Sequence, residues 1–250
     1  MNNQYGGYGN NQNNYYGQQP NNNYNQDPNN NYYGQQPNNN WNPVIKTSSS
    51  AVTALSFLAL VALAIGVILY ISNTSEYMFI NMQMTFNTLV QFALLGAGVV
   101  FFIYYFVCYK NDSGKMLEPL TFGLLGATGL IGTLNIIFSV VEANSKGGDI
   151  GKAFLSVLPS LTVPAISAIL FFLVAKNFIT NNFSKVTYTM ALGFVLAACP
   201  QSVIQYLVAL MNNTSGGQTT AILFGFLIAI GQAFLYTALI VHGVREYYAE

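Results

Sequence analysis

Residues 51–72 read AVTALSFLALVALAIGVILYIS, an apolar run without a charged side chain. A helix rising about 1.5 Å per residue needs roughly 20 such residues to cross the hydrocarbon of a bilayer, which is about 30 Å thick. Further runs of this kind, none with an interior Asp, Glu, Lys or Arg, lie at 88–109, 119–141, 153–175, 187–210 and 220–242. The sequence therefore predicts an all-α polytopic membrane protein, a six-transmembrane-helix bundle formed by residues 46–250.

The overall composition agrees with a bilayer as the main solvent. Only 6% of the residues are charged and 52% are hydrophobic, whereas soluble domains are roughly one quarter charged. The eight basic and eight acidic residues are scattered along the chain, so no basic stripe can follow a nucleic-acid backbone. We expect the lipid bilayer as a partner, with homo-oligomers or other membrane proteins bound through small-residue helix faces and the tail, and no nucleic acid.

Residues 1–45 form a low-complexity tail rich in Asn, Gln, Tyr, Gly and Pro. The segment NNYYGQQPNNN occurs twice without a change, at 13–23 and at 30–40. Residues 2–41 contain no aliphatic side chain and cannot bury a core, so the tail is predicted to be disordered. Uncharged Asn and Gln with regularly placed Tyr are typical of self-associating segments, and a solvated spacer is the alternative.

The basic residues near the helix ends predict the orientation of the bundle. Alternate loops place six basic residues on one side and two on the other, and the side richer in basic residues faces the cytoplasm. The six are Lys46, Lys110, Lys115, Lys176, Lys185 and Arg245, and the two are Lys146 and Lys152. This bias predicts a cell-membrane protein with both termini in the cytoplasm. Tyrosines near the predicted helix ends are expected at the headgroup level; they are Tyr70, Tyr77, Tyr104, Tyr105, Tyr109, Tyr188, Tyr247 and Tyr248.

Small residues and prolines predict how the helices pack. Small side chains let helix backbones approach closely in lipid. Candidate packing residues are Gly123, Gly126, Gly129 and Gly132 on the third helix and Gly225, Ala229 and Ala233 on the sixth. The glycine row of the third helix has a period of three and drifts around the axis, so this helix is expected to be crowded on more than one side. Proline removes a backbone donor, which predicts kinks at Pro159, Pro164 and Pro200.

Uncharged polar side chains inside the spans are the candidate site residues. Under the predicted orientation most lie toward the outer half of the membrane and one lies near its middle. The outer ones are Gln91, Asn135, Ser139, Ser160, Gln201 and Gln205, and the central one is Gln232. They indicate either an outward-facing polar cavity between the third, fourth and fifth helices or hydrogen bonds that join helices.

The chain lacks the motifs of familiar membrane enzymes. There is no HExxH, no GxSxG, no GxxxxGK[ST] and no carboxylate inside an apolar run, which disfavours hydrolysis and ion-coupled transport. Cys108 and Cys199 have no metal-ligand spacing. His242, the one histidine, lies at the end of the last helix with no partner evident in the sequence. The sequence therefore predicts no catalytic, cofactor-binding or metal-binding residue, and a protein that is not an enzyme.

Two functional hypotheses follow. The first is a non-enzymatic component that organises or assembles membrane complexes and has a self-associating tail. The second is a small permease or channel for a neutral or apolar solute that uses the outward-facing polar cavity.

Overall fold

The computed structural model describes residues 48–76, 78–111, 113–145, 149–212 and 219–248. The predicted tail, residues 1–45, lies outside this described part of the chain, as do Tyr77 and Lys146. Within the described part, six helices are long and apolar enough to cross a membrane. The predicted all-α architecture with six spanning helices is confirmed.

The six helices follow one another with short connections. They are α1 (Ser50–Thr74), α2 (Met82–Ile103), α3 (Leu117–Ser145), α4 (Ile150–Ile179), α5 (Lys185–Asn212) and α6 (Thr219–Gly243). α2 continues into a π-helical turn, Tyr104–Cys108, and α6 continues into a second one, Val244–Tyr248. The wider π-helical turn shifts the direction of the side chains that follow it.

Capping residues explain why several helices begin outside the apolar runs. The Asn81 side chain accepts a hydrogen bond of 2.8 Å from the backbone N–H of Met84, which starts α2 at Met82. Asp149 caps α4 in the same way, through the N–H groups of Gly151 and Lys152. Both capping residues are polar and precede the hydrophobic segment. Hydropathy alone therefore does not predict that the helices begin next to them.

The end of α4 and the start of α3 each depend on a residue with positive φ. Asn181 has φ of 53°, and the following Asn182 N–H donates to the carbonyl of Asn177 at 2.9 Å, the pattern of a Schellman motif. Gly114, with φ of 71°, forms the turn before α3, where a Cβ would also lie 2.9 Å from the Cβ of Cys108.

The helices form a ring in which each packs against its neighbours in sequence and α6 packs against α1. Aromatic rings fill the middle of the ring. Phe171 of α4 stacks on Tyr236 of α6 with centroids 6.0 Å apart, and Phe122 of α3 meets Tyr188 of α5 at 5.4 Å. These pairs bring helices into contact that are not neighbours in sequence.

The glycine row of α3 faces α4 over most of its length. A Cβ on Gly129 would lie 2.7 Å from the Pro164 carbonyl oxygen and 2.9 Å from the Ala168 nitrogen, so the two backbones are in direct contact. Gly126 packs under the ring of Phe172. A Cβ on Gly132 would make ordinary contact with Pro164, whereas one on Gly123 would meet nothing within 4 Å.

The small residues of α6 face different neighbours. A Cβ on Gly225 would collide with the ring of Tyr206 in α5, and Ala229 is 4% exposed. Ala233 is partly buried against the hydrophobic core. Gly231, which the sequence analysis did not single out, lies against Leu63 of α1.

All three predicted kink prolines lie inside continuous helices, Pro159 and Pro164 in α4 and Pro200 in α5. The carbonyl of Pro159 accepts a hydrogen bond of 2.7 Å from the Thr162 hydroxyl, and that of Pro164 accepts one of 2.9 Å from Ser167. Hydroxyl groups of the same helix thus donate hydrogen bonds to the carbonyls of these two prolines.

A buried carboxylate, imidazole and tyrosine cluster

Chain segments far apart in sequence meet at one end of the bundle, where α2 and α6 end and α3 begins. The first π-helical turn supplies Tyr104 and Tyr105 to this point, the second supplies Tyr247, and the first turn of α3 supplies a carboxylate. The cluster consists of Phe101, Tyr104, Tyr105, Tyr109, Glu118, His242 and Tyr247, each of them at most 8% exposed. We refer to these seven residues as the polar–aromatic cluster.

Glu118 is the centre of the hydrogen bonds in this cluster. It is 3% exposed. Its Oε1 accepts a hydrogen bond of 2.5 Å from the hydroxyl of Tyr247, and its Oε2 accepts one of 3.2 Å from the hydroxyl of Tyr104. Both oxygens of Glu118 are thus occupied as hydrogen-bond acceptors. α3 is therefore joined to both π-helical turns through a single side chain.

His242 lies beside this carboxylate and is 1% exposed. Its Nε2 is 3.4 Å from Glu118 Oε1, a distance that suits an ion pair. The same nitrogen makes no hydrogen bond to any described residue. A buried carboxylate needs a counter-charge, and the imidazole is the group placed to provide one.

Aromatic rings surround the imidazole of His242. Their centroids lie 5.4 to 6.0 Å from that of the imidazole, with interplanar angles of 64° to 82°; the rings are those of Phe101, Tyr104, Tyr105, Tyr109 and Tyr247. Aromatic rings within about 6 Å of a cation can stabilise it through their quadrupoles. This surrounding is compatible with a charged imidazole.

Further hydrogen bonds join the remaining helices to this end. The hydroxyl of Tyr109 donates to Glu246 Oε2 at 2.5 Å, and the backbone N–H of Ser49, just before α1, donates to the hydroxyl of Tyr105 at 2.7 Å. Burial, followed by the hydrogen bond and negative charge of Glu246, raises the pKa of Tyr109 above its usual range. Tyr109 therefore stays protonated at neutral pH and remains a donor.

The ends of α4 and α5 complete the same region with aromatic side chains. Phe183 stacks against Tyr247 with centroids 4.3 Å apart, and Tyr188 meets the same ring at 5.2 Å. The hydroxyl of Tyr188 donates to the carbonyl of Leu239 in α6 at 2.8 Å. Residues from the ends of all six helices thus participate in closing this end of the bundle.

The arrangement provides an acid–base pair without a metal site. Among the described residues, no group of three or more His, Cys, Asp or Glu is placed to hold a metal ion. A carboxylate and an imidazole excluded from water can exchange or hold a proton. Ionisable groups of this kind inside a membrane bundle are functional-site candidates, because they are costly to bury.

The predicted polar residues form a smaller contact in the other half of the bundle. Asn135 of α3 donates from Nδ2 to Asn87 Oδ1 of α2 at 2.7 Å. Gln91 lies one turn along α2 from Asn87. Its Oε1 and the Oδ1 of Asn135 are buried and have no hydrogen-bond partner among the described residues.

We expect Asn135→Leu to weaken the packing of α2 on α3. Loss of the Asn87 hydrogen bond should lower the free energy of unfolding by about 1 kcal/mol, the usual size of such bonds in membrane bundles. Denaturation in mixed micelles, with Asn87→Leu and the double variant, measures the coupling between the two amides. Ser139→Ala is the control, since the Ser139 hydroxyl bonds to the Ile136 carbonyl of its own helix at 2.7 Å. An equal loss of unfolding free energy in Asn135→Leu and Ser139→Ala would contradict the role of the Asn135–Asn87 hydrogen bond in joining α2 to α3.

The other predicted site residues are distributed over separate surfaces. Gln201 and Gln205 are exposed on α5, and Ser160 is exposed on α4. Gln232 is partly buried in α6. The structure therefore brings Gln91 and Asn135 into one region and leaves Ser160, Gln201 and Gln205 on the outside of the described bundle.

Sequence reasoning missed the polar–aromatic cluster. The apolar run of the third span begins at Pro119, whereas α3 begins at Leu117 and carries Glu118 in its first turn. Glu118 therefore lies just outside the hydrophobic segment, and its proximity to His242 is not evident from the sequence. Six tyrosines expected at the headgroup level are buried within the bundle: Tyr70, Tyr104, Tyr105, Tyr109, Tyr188 and Tyr247.

One signal in the sequence could have indicated the cluster. Residues 101–109 read FFIYYFVCY, and residues 246–248 read EYY. The predicted topology places both stretches and His242 on the same side of the membrane. No protein-family model, curated protein or solved structure matches this chain.

Proposed function

We propose that this chain is a non-enzymatic membrane protein that assembles with copies of itself through the exposed half of α5. Six apolar helices make it a multi-pass membrane protein. The observation that carries the proposal is a pair of glutamines, Gln201 and Gln205, exposed within a spanning helix.

The exposed glutamines lie on one face of α5. With Ala197 they form a row at a spacing of four residues, and each member is exposed; we call this row the glutamine stripe. The spacing places the three on one face. A primary amide facing hydrocarbon without a hydrogen-bond partner costs several kcal/mol. The stripe therefore favours contact with another polar helix over contact with lipid.

A second copy of the chain is the partner that fits the stripe best. A primary amide both donates and accepts hydrogen bonds, so a glutamine stripe is complementary to itself. Two-fold symmetric contacts are the commonest form of homo-oligomer and place the same patch on both sides. The small Ala197 permits close approach at the end of the stripe.

The proposal also includes the orientation of the bundle in the membrane and contacts between the tails. The six-to-two distribution of basic residues supports an orientation with both termini in the cytoplasm, and we place the protein in the cell membrane. The repeated NNYYGQQPNNN segment supports weak multivalent contacts between cytoplasmic tails. Pairing through α5 combined with contacts between tails would cluster the protein in the plane of the membrane.

We expect the double variant Gln201→Leu, Gln205→Leu to remain folded and to dimerise on the order of tenfold to a thousandfold more weakly. The estimate assigns about 0.6 to 2 kcal/mol to each amide contact. Dimerisation of the full chain is measured in lipid vesicles by energy transfer between labelled copies. Gln83→Leu is the matched control, since Gln83 is exposed in the first turn of α2, outside the stripe. Unchanged dimerisation in the double variant would overturn the proposal.

A second candidate is facilitated passage of a neutral solute. The buried oxygens of Gln91 and Asn135, which have no hydrogen-bond partner among the described residues, favour it because they offer free acceptors within the membrane. Solute uptake by vesicles that is retained in the monomeric double variant would favour this second function.

A further inference from the structure

We propose that Glu118 and His242 form a buried proton-binding site at the end of the bundle. The site takes one proton from water on Nε2 of His242 and holds it as an imidazolium against the carboxylate of Glu118. It differs from the proposed assembly function, since it shares no residue with the glutamine stripe.

The hydrogen bonds of Glu118 provide the first argument. Its two oxygens accept hydroxyl hydrogens from Tyr247 and Tyr104. A carboxylate accepts hydrogen bonds on both of its oxygens, and both oxygens of Glu118 are used in this way. Glu118 is thus arranged as an anion although it is 3% exposed.

The position of His242 provides the second argument. Its Nε2 lies 3.4 Å from Glu118 Oε1 and has no hydrogen-bond partner among the described residues. A neutral imidazole would leave the buried carboxylate without a counter-charge, which is costly in a low-dielectric interior. A proton on Nε2 converts the same contact into a neutral pair. The empty position on this nitrogen is therefore the place for the proton.

The groups around the imidazole provide the third argument. α3 contributes Glu118, the end of α2 contributes three tyrosines, and the C-terminal turn contributes Tyr247. The rings lie within 6.0 Å of the imidazole centroid. The tyrosine hydroxyls are neutral donors, so Glu118 is the anion in direct contact with the imidazole.

Among the described residues, the remaining charged side chains of this end lie farther out, including Lys176 and Lys185 at the ends of α4 and α5, which are exposed. Glu246 is partly buried and is separated from the imidazole by Tyr109, whose hydroxyl donates to it. Lys110, Lys115 and Arg245 are exposed, where solvent screens them. α4 and α5 contribute aromatic contacts to Tyr247, and α1 contributes the Ser49 N–H bound by Tyr105.

The site couples a proton to the contact between α3 and α6. With the proton present, the pair attracts; without it, an uncompensated anion remains in the interior. Protonation would then strengthen the attachment of the C-terminal π-helical turn, which also holds Glu118 through Tyr247.

The single histidine makes a direct test feasible. In the full chain carrying ¹⁵N-labelled histidine in lipid nanodiscs, the ring nitrogen signals report only on His242. Titration between about pH 5 and pH 8 covers the range in which a histidine changes charge. We expect proton binding to be at least about tenfold weaker in Glu118→Gln than in the wild type, because the neighbouring anion is removed.

Two further variants complete the test. Glu142→Gln removes an exposed carboxylate at the far end of α3 and should titrate as the wild type does. Glu118→Asp keeps the charge on a shorter side chain and should bind the proton with intermediate affinity, which covers the case that the Gln variant does not fold. Equal proton affinity in the wild type and in the Glu118 variants, or a wild-type imidazole that takes up no proton while the protein is folded, would overturn the proposal.

Discussion

Gly129→Val is expected to lower the free energy of unfolding by about 3 kcal/mol, the upper part of the range for overpacking a tight interface. The first atom of the new side chain would lie 2.7 Å from the carbonyl oxygen of Pro164 and 2.9 Å from the nitrogen of Ala168. Both are backbone atoms, so no rotamer change relieves the overlap and α3 must move away from α4. Denaturation of the purified chain in mixed micelles measures the loss.

Gly123→Val is the matched control for this prediction. Gly123 lies in the same helix and in the same three-residue row, but a Cβ there meets nothing within 4 Å. The two variants change helix propensity and hydrophobicity equally. The difference between them therefore reports the contact with α4, and equal stability of the two would contradict the close approach at Gly129.

His242→Leu is expected to cost about 3 to 5 kcal/mol, since removing one partner of a buried ion pair leaves the other charge uncompensated. The remaining charge would be the carboxylate of Glu118, which is 3% exposed. The same denaturation experiment measures the loss. Tyr104→Phe is the milder comparison, because it removes one hydroxyl donor and leaves both members of the pair, and it should cost about 1 to 3 kcal/mol.

A smaller loss in His242→Leu than in Tyr104→Phe would contradict this account of the cluster. It would mean that Glu118 is not an anion in the folded bundle. The charge of His242 would then contribute nothing to holding α3 and α6 together.

The six spanning helices could be predicted from sequence because hydropathy is a local property. In a bilayer, an uncharged apolar run of about 20 residues satisfies its backbone hydrogen bonds by forming a spanning helix. The helix ends were less predictable. Asn81 and Asp149 begin α2 and α4 through side-chain caps, and such polar residues carry no hydropathy signal.

The sequence indicates which glycines of α3 form a row, but not which residues of other helices each glycine contacts. The three-residue period of α3 rotates successive glycines around the axis. Gly126 and Gly129 therefore reach α4, whereas Gly123 points into open space. Which glycine meets a neighbour depends on where α4 crosses α3, and no single helix contains that information.

The polar–aromatic cluster could not be predicted because it depends on long-range contacts. Glu118 and His242 belong to different helices and meet only when α3 packs near the end of α6. Tyr104, Tyr105 and Tyr247 also lie in two π-helical turns, whose winding departs from the regular α-helical period. A regular α-helical pattern extended through 104–108 would assign those side chains to the wrong face.

The central claim is that Glu118 and His242 act as a pair that joins α3 to α6. The direct measurement is a double-mutant cycle on unfolding free energy in lipid-containing micelles, with Glu118→Gln, His242→Gln and the double variant. The account predicts a coupling energy of about 1.5 kcal/mol or more, with the double variant more stable than the sum of the single losses implies. A coupling energy below about 0.5 kcal/mol, the range found for independent sites, would contradict it.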